Sequence, residues 1–281
     1  MADIQRSLFM GNLHAEMKRS DILKQRETDR VLRDFRKELL CVFWEIPVLK
    51  AIWKRELKSY FETPVGYIFL GVFLTISSVL FFGSILRQHS GDLPTFIGQM
   101  SYLWMLLSPV LTMRLLAEEK QKRTDQLLLT CPVSPAEIVL GKFLAAASML
   151  GLTAMMTLMY VIVVAIYGTV YPVELGVNYL GFLLQGCAFT AMDLYLSGCA
   201  GTPIVAAILG FGANFLIWVL DLLENQVQIG WLSDTMKFLS LYRRNEPFLM
   251  GQLSWANAVF EISFIVFFLA LTVHRLDSQR M

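Results

Sequence analysis

Charge is what these 281 residues have least of: Asp, Glu, Lys and Arg make up 17%, while hydrophobic types make up 56%. A soluble chain of this length would carry about a quarter charged residues, so an ordinary globular domain is excluded. Histidine and cysteine are scarce too, at three and four. His14, His89 and His274 stand far apart in the sequence. Without a His-Glu-x-x-His pair or a Cys/His cluster, neither a zinc site nor membrane haem is expected. The phosphate-cradling Gly-x-x-x-x-Gly-Lys-Ser/Thr loop is missing, because Gly141-Lys142 lacks the upstream glycine and is followed by Phe143. No Gly-x-Ser-x-Gly elbow is present either. The chain is therefore expected not to be an enzyme, to hold no cofactor or metal of its own and not to bind ATP unaided.

What the sequence has instead is long uncharged blocks. Thr63–Leu86, Leu93–Met113 and Phe143–Val173 hold no ionisable side chain, and each reaches the ~20 residues a helix needs to cross ~30 Å of hydrocarbon. Leu175–Met192 and Leu194–Leu220 flank a lone Asp193, and Ser197, Gly198, Gly201, Thr202 and Pro203 divide this stretch into two spans joined by a tight turn. Trp255–Val273, with Glu261 alone inside it, completes the set. The expected fold is an all-α polytopic membrane protein, its permease-like domain at 63–281. Its six spans lie at about 64–86, 94–113, 143–167, 175–196, 203–221 and 255–273.

Orientation follows from the cations, because short loops retained inside the cell carry the excess of Lys and Arg. All but Arg87, Lys237, Arg243 and Arg244 of the 24 fall before the first span, between spans two and three, or in the tail. Both termini are thus expected in the cytoplasm, in a bacterial cytoplasmic (inner) membrane. Cys41, Cys131, Cys187 and Cys199 then lie on the reducing side or within the bilayer, where bridges are not expected. A net charge of +1 leaves no free basic tract for nucleic acid. Residues 1–30 are charge-rich and lack the apolar core of a secretory signal.

Three stretches outside the spans carry pattern. Residues 1–47 read as a cytoplasmic helical extension ended by Pro47. Residues 48–62 read as a basic amphipathic helix, with Trp53, Lys54, Arg55 and Lys58, suited to the membrane interface or to a partner subunit. Between spans two and three, a loop over 114–142 contains a charged helix over Leu115–Gln126 and a break at Pro132. It then restarts at Ser134-Pro135-Ala136-Glu137, with a capping serine, proline at the first helical position and Glu three residues after the cap. The segment 221–254 is apolar for an external loop, which predicts short re-entrant helices or a small cap. Inside the spans, ionisable groups are costly and so mark candidate sites. Asp193 and Glu261 qualify, with Asn214 as a further polar candidate. At ~1.5 Å per residue from Leu175, Asp193 falls ~27 Å down the fourth span, near the cytoplasmic boundary.

Two motifs bring a family into view. Trp53-Lys54-Arg55-Glu56-Leu57-Lys58-Ser59-Tyr60-Phe61-Glu62-Thr63-Pro64 resembles the entry to the first span in membrane subunits of the ABC transporter type-2 permease family. Thr112-Met113-Arg114-Leu115-Leu116-Ala117-Glu118-Glu119, Leu127-Leu128-Leu129-Thr130-Cys131-Pro132-Val133-Ser134 and Glu137-Ile138-Val139-Leu140-Gly141-Lys142-Phe143 resemble that family's cytoplasmic loop, most closely in the gliding-motility-type branch. The likeness covers about 51–277. It implies the permease subunit of an ATP-driven exporter, with 48–62 as connecting helix and 114–130 as a coupling helix docking on a separate ATPase. Two ATPase copies, which bind the ATP and Mg, and a second permease protomer, identical or homologous, would complete the assembly in the lipid bilayer. Glu118, Glu119, Arg123, Thr124 and Gln126 are then the expected ATPase contacts. Some relatives act as non-transporting anchors of ATPase complexes in envelope or metal-site assembly, which gives the alternative. Two departures stand out. Arg123-Thr124-Asp125-Gln126 replaces the family's Gly-Thr-Ile-Glu, so the helix is expected to run on past Arg123. Ser197-Gly198-Cys199-Ala200-Gly201-Thr202-Pro203 lacks the family's Asn-Gln pair.

Overall fold

The computed structural model describes residues 48–86, 92–123, 133–167, 171–224 and 240–278. The chain divides at Val48/Leu49, and the architecture below is that of the C-terminal unit. The extension over 1–47, together with Thr124, Gln126 and 225–239, lies outside the described residues.

Among the described residues the structure is wholly helical. Helix α1 covers 48–62. It is followed by α2 (Pro64–Phe81), which continues as a π-helical turn over Phe82–Leu86, and by α3 (Leu93–Gln121) and α4 (Pro135–Tyr167). Then come α5 (Pro172–Cys199), α6 (Pro203–Glu224), the short α7 (Leu241–Leu249) and α8 (Trp255–Asp277). Helices α2, α4, α5 and α6 each begin at a proline. The first helical position needs no N–H and favours the proline φ, so these residues start helices rather than break them. Asp92 caps α3 by accepting from the Thr95 backbone N–H at 3.4 Å and its hydroxyl at 2.6 Å.

Six of these helices, α2–α6 and α8, are long and apolar enough to cross a membrane, which makes the chain a multi-pass membrane protein. Helices α3 and α5 pack on each other at the centre, with α6, α8, α4 and α2 around them. Phe73, Phe96, Trp104 and Phe182 fill the core. Trp104 sits edge-on to Phe69 and Phe73 and donates its indole N–H to the Gly186 carbonyl at 3.2 Å. The periphery is just as apolar: Ile204, Ile208, Phe215 and Leu216 on α6, and Val259, Val266 and Phe267 on α8, are exposed. Such faces suit hydrocarbon, which solvates them as well as a protein core would.

Two boundaries differ from the sequence expectation. Helix α3 runs eight residues beyond Met113 and α4 starts eight before Phe143, because hydropathy stops at the first charge whereas Leu, Ala, Glu, Lys and Gln remain good helix formers in water. The expected helical run through Arg123 is interrupted at that residue. Helix α3 ends at Gln121, and Arg123 takes φ 56°, the left-handed conformation that usually calls for glycine.

Candidate functional site

Where α1, the end of α3 and the start of α4 meet, four charges interlock. Lys142 lies on α4, and its side chain is 0% exposed. Its ammonium has three protons, and all three have acceptors: Glu119 Oε1 at 2.8 Å, Glu56 Oε1 at 3.1 Å and the Leu115 carbonyl at 2.6 Å. Arg55 closes the figure from outside, its Nη2 2.6 Å from Glu56 Oε1 and 3.1 Å from Glu119 Oε1. Two cations alternate with two anions, so the quartet is neutral and each buried charge faces its opposite. Burial pushes the Glu56 carboxyl up, but the charge of Lys142 and the hydrogen bond from Arg55 outweigh it and hold the group below its ordinary value.

Close backbone approach makes the quartet possible. A Cβ on Gly141 would stand 2.7 Å from Ile52 Cγ2, so α1 crosses α4 in a space only glycine leaves. Trp53 donates its indole N–H to Ser148 Oγ at 2.8 Å, and the buried Tyr60 hydroxyl donates to the Leu111 carbonyl at 3.0 Å. Burial drives the Tyr60 phenol far above its ordinary value, which keeps it a neutral donor. At the start of α4 the expected capping box is present in both directions: Ser134 N–H donates to Glu137 Oε2 at 2.9 Å and Glu137 N–H to Ser134 Oγ at 3.3 Å.

The residues singled out from the sequence separate into groups. Glu119 joins the quartet, whereas Glu118 turns to Arg114 and Lys122, each at 2.7 Å. Arg114 also donates to Thr63 Oγ1 at 3.1 Å, tying α3 to the start of α2. Arg123 is exposed at the end of α3. Lys54 and Lys58 are exposed on α1, and Lys58 pairs with Glu62 at 3.0 Å. Lys142 and Glu56 escaped the sequence reading. A lysine followed by Phe143 and a long apolar run looks like the last charge of a loop, and no local pattern distinguishes it from a buried one.

A second polar junction forms within the spans. Pro109 lacks an N–H, so the Met105 carbonyl one turn earlier in α3 loses its helical donor. Asn214 of α6 supplies one, its Nδ2 2.9 Å from that carbonyl, and also reaches Asp193 Oδ2 at 3.2 Å. Ser108 donates to the same carboxyl oxygen at 2.5 Å. Asp193 and Asn214 therefore come together, both almost wholly buried, and link α3, α5 and α6. Glu261 is elsewhere, buried on α8 with no hydrogen-bond partner among the described residues.

Residues 95–278, well over half of the chain, match the family described as ABC-2 family transporter protein. The chain belongs to that family. It is accordingly a transmembrane component of the ABC transporter kind, a permease, which as a class is non-catalytic and works with an ABC ATPase. No curated protein matches the chain. The match takes in the end of α3, Lys142 and the Asp193 junction, while α1, with Arg55 and Glu56, precedes it. Within this ABC-2 permease the quartet therefore joins the family domain to the segment that leads into it.

Proposed function

We propose that the chain is the membrane-spanning subunit of an ATP-driven exporter of the gliding-motility-type branch, embedded in a bacterial cytoplasmic membrane with both termini inside. Two copies of a separate ATPase subunit bind ATP and Mg, and a second permease protomer, identical or homologous, completes the translocation path. Six spans are too few to enclose such a path alone. The coupling segment starts at the end of α3, with Arg123, Thr124 and Gln126 meeting the ATPase and Glu118 and Glu119 holding the segment's base. Helix α1, with Trp53, Lys54, Arg55 and Lys58, lies in the inner interface.

The observation that carries this reading is the quartet. ATP binding can change substrate affinity only if a free-energy coupling connects the two sites, and a push delivered to the end of α3 meets the quartet within one turn. Glu119 is two residues from the end of α3, and Lys142 and Arg55 fasten it to α4 and α1. The three helices are thereby bound to move as one. Co-purification with a co-expressed ABC ATPase subunit from the same genome tests the assignment. The wild type should assemble and show substrate-stimulated ATP turnover, and Arg123→Glu combined with Gln126→Ala should lose both. A double variant that assembles normally with full stimulation overturns it.

A further inference from the structure

At the end of α3 remote from the quartet, a cavity of about 480 Å³ opens between α3, α5, α6 and α7. Its lining carries both signs of charge, from the carboxyls of Asp221 and Glu246 and the guanidinium of Arg243. Beside them are Tyr102 and Tyr242, whose rings stack with centroids 4.5 Å apart and planes 15° apart. Gln185 of α5 also lines the cavity, and it is 1% exposed. Its Oε1 accepts from Asn245 Nδ2, which leaves its Nε2 buried without a partner among the described residues. A buried amide donor is costly when unsatisfied, and here it borders a space large enough for a small ligand.

We propose that this cavity binds a small zwitterion, an ammonium group joined to an anionic oxygen group. The two carboxylates attract the ammonium, and Tyr102, exposed on the cavity side, offers it the ring face that is not stacked on Tyr242. Gln185 Nε2 and Arg243 supply donors to the anionic end, in the charge-assisted manner that holds carboxylates and phosphates. A purely cationic ligand would leave the Gln185 donor unmet, and a purely anionic one would face Asp221 and Glu246. Two sources share the required chemistry: the phosphoethanolamine headgroup of a lipid, and a water-soluble α-amino acid. The site is independent of the transport reading, since it draws on neither the quartet nor an ATPase.

The full chain in nanodiscs of phosphatidylglycerol alone, titrated by calorimetry, tests the proposal. The probes are glycerophosphoethanolamine, L-alanine, ethanolamine and inorganic phosphate. At least one zwitterion should bind saturably, and which of the two binds identifies the source. Ethanolamine and phosphate, each lacking half of the contacts, should bind about tenfold more weakly or worse. Gln185→Leu and Glu246→Gln should each weaken zwitterion binding about tenfold. Glu246 is exposed, so its variant folds regardless of how Gln185→Leu fares. Absence of saturable binding by either zwitterion, half-ligands that bind as tightly, or wild-type affinity in Glu246→Gln would overturn the assignment.

Discussion

Lys142→Met removes one charge from the quartet and keeps most of the aliphatic stem. The Leu115 carbonyl loses its side-chain donor, and Glu56 and Glu119 are left with Arg55 as their cation within the quartet. Removing one partner of a fully buried pair costs about 3–5 kcal/mol. The side chains of Glu56 and Glu119 are 12% and 20% exposed, so water compensates in part, and a loss of about 2–4 kcal/mol is expected. For a unit of this size that corresponds to a fall of roughly 8 °C in the unfolding midpoint, read from intrinsic tryptophan fluorescence of the detergent-purified chain. The stranded carboxylates, rather than the missing lysine, cause most of the loss. Adding Glu56→Gln and Glu119→Gln should therefore recover at least about half of it, because neutral or apolar replacements of a whole buried ion cluster are often tolerated. A Lys142→Met midpoint within about 1 °C of wild type, or a triple variant no more stable than the single, would refute the reasoning.

Three further outcomes follow from the same geometry. The unfolded chain protonates Glu56 near its ordinary value of 4.5, whereas the folded chain holds this group ionised to lower pH; its contribution should be flat above about pH 5 and lost as the pH falls through the folded value, with Glu56→Gln flattening that part of the acid profile. Gly141→Ala should lower stability by about 1–3 kcal/mol, since the new methyl meets the β-branched stub of Ile52 at 2.7 Å; Gly151→Ala on the same helix meets nothing within 4 Å and should be neutral or stabilising by up to about 1 kcal/mol in the same melt. Asn214→Leu should cost about 2 kcal/mol by stranding the Met105 carbonyl; in a Pro109→Ala background the restored helical N–H should make the same change cheaper, a non-additivity that a double-mutant cycle measures.

Much of this architecture was legible before any coordinates, because membrane insertion is decided by local properties. An uncharged block about 20 residues long crosses a bilayer whatever its neighbours do, so three of the six spans are read directly from charge gaps, and the others from apolar runs holding a lone acid and from the turn residues Ser197 to Pro203. The capping box at Ser134 and Glu137 was equally readable, since both partners lie within one turn. The helix ends were less so. Arg123 was expected to sit inside a helix on composition alone, yet the chain turns there in a left-handed conformation. Propensity describes an average residue and not the one position where a helix must stop.

The sequence by itself determined that this chain belongs in a membrane, how many helices can cross it and which loop carries the cations, all consequences of polarity summed over short windows. The tertiary structure alone decided the partners. Glu56 and Lys142 are 86 residues apart and meet at 3.1 Å, and Asp193 and Asn214 meet because a proline on a third helix leaves a carbonyl to be satisfied. Such pairings have no sequence period. A buried charge selects whichever opposite charge the packing of helices brings within reach, and that choice exists only once the helices have packed.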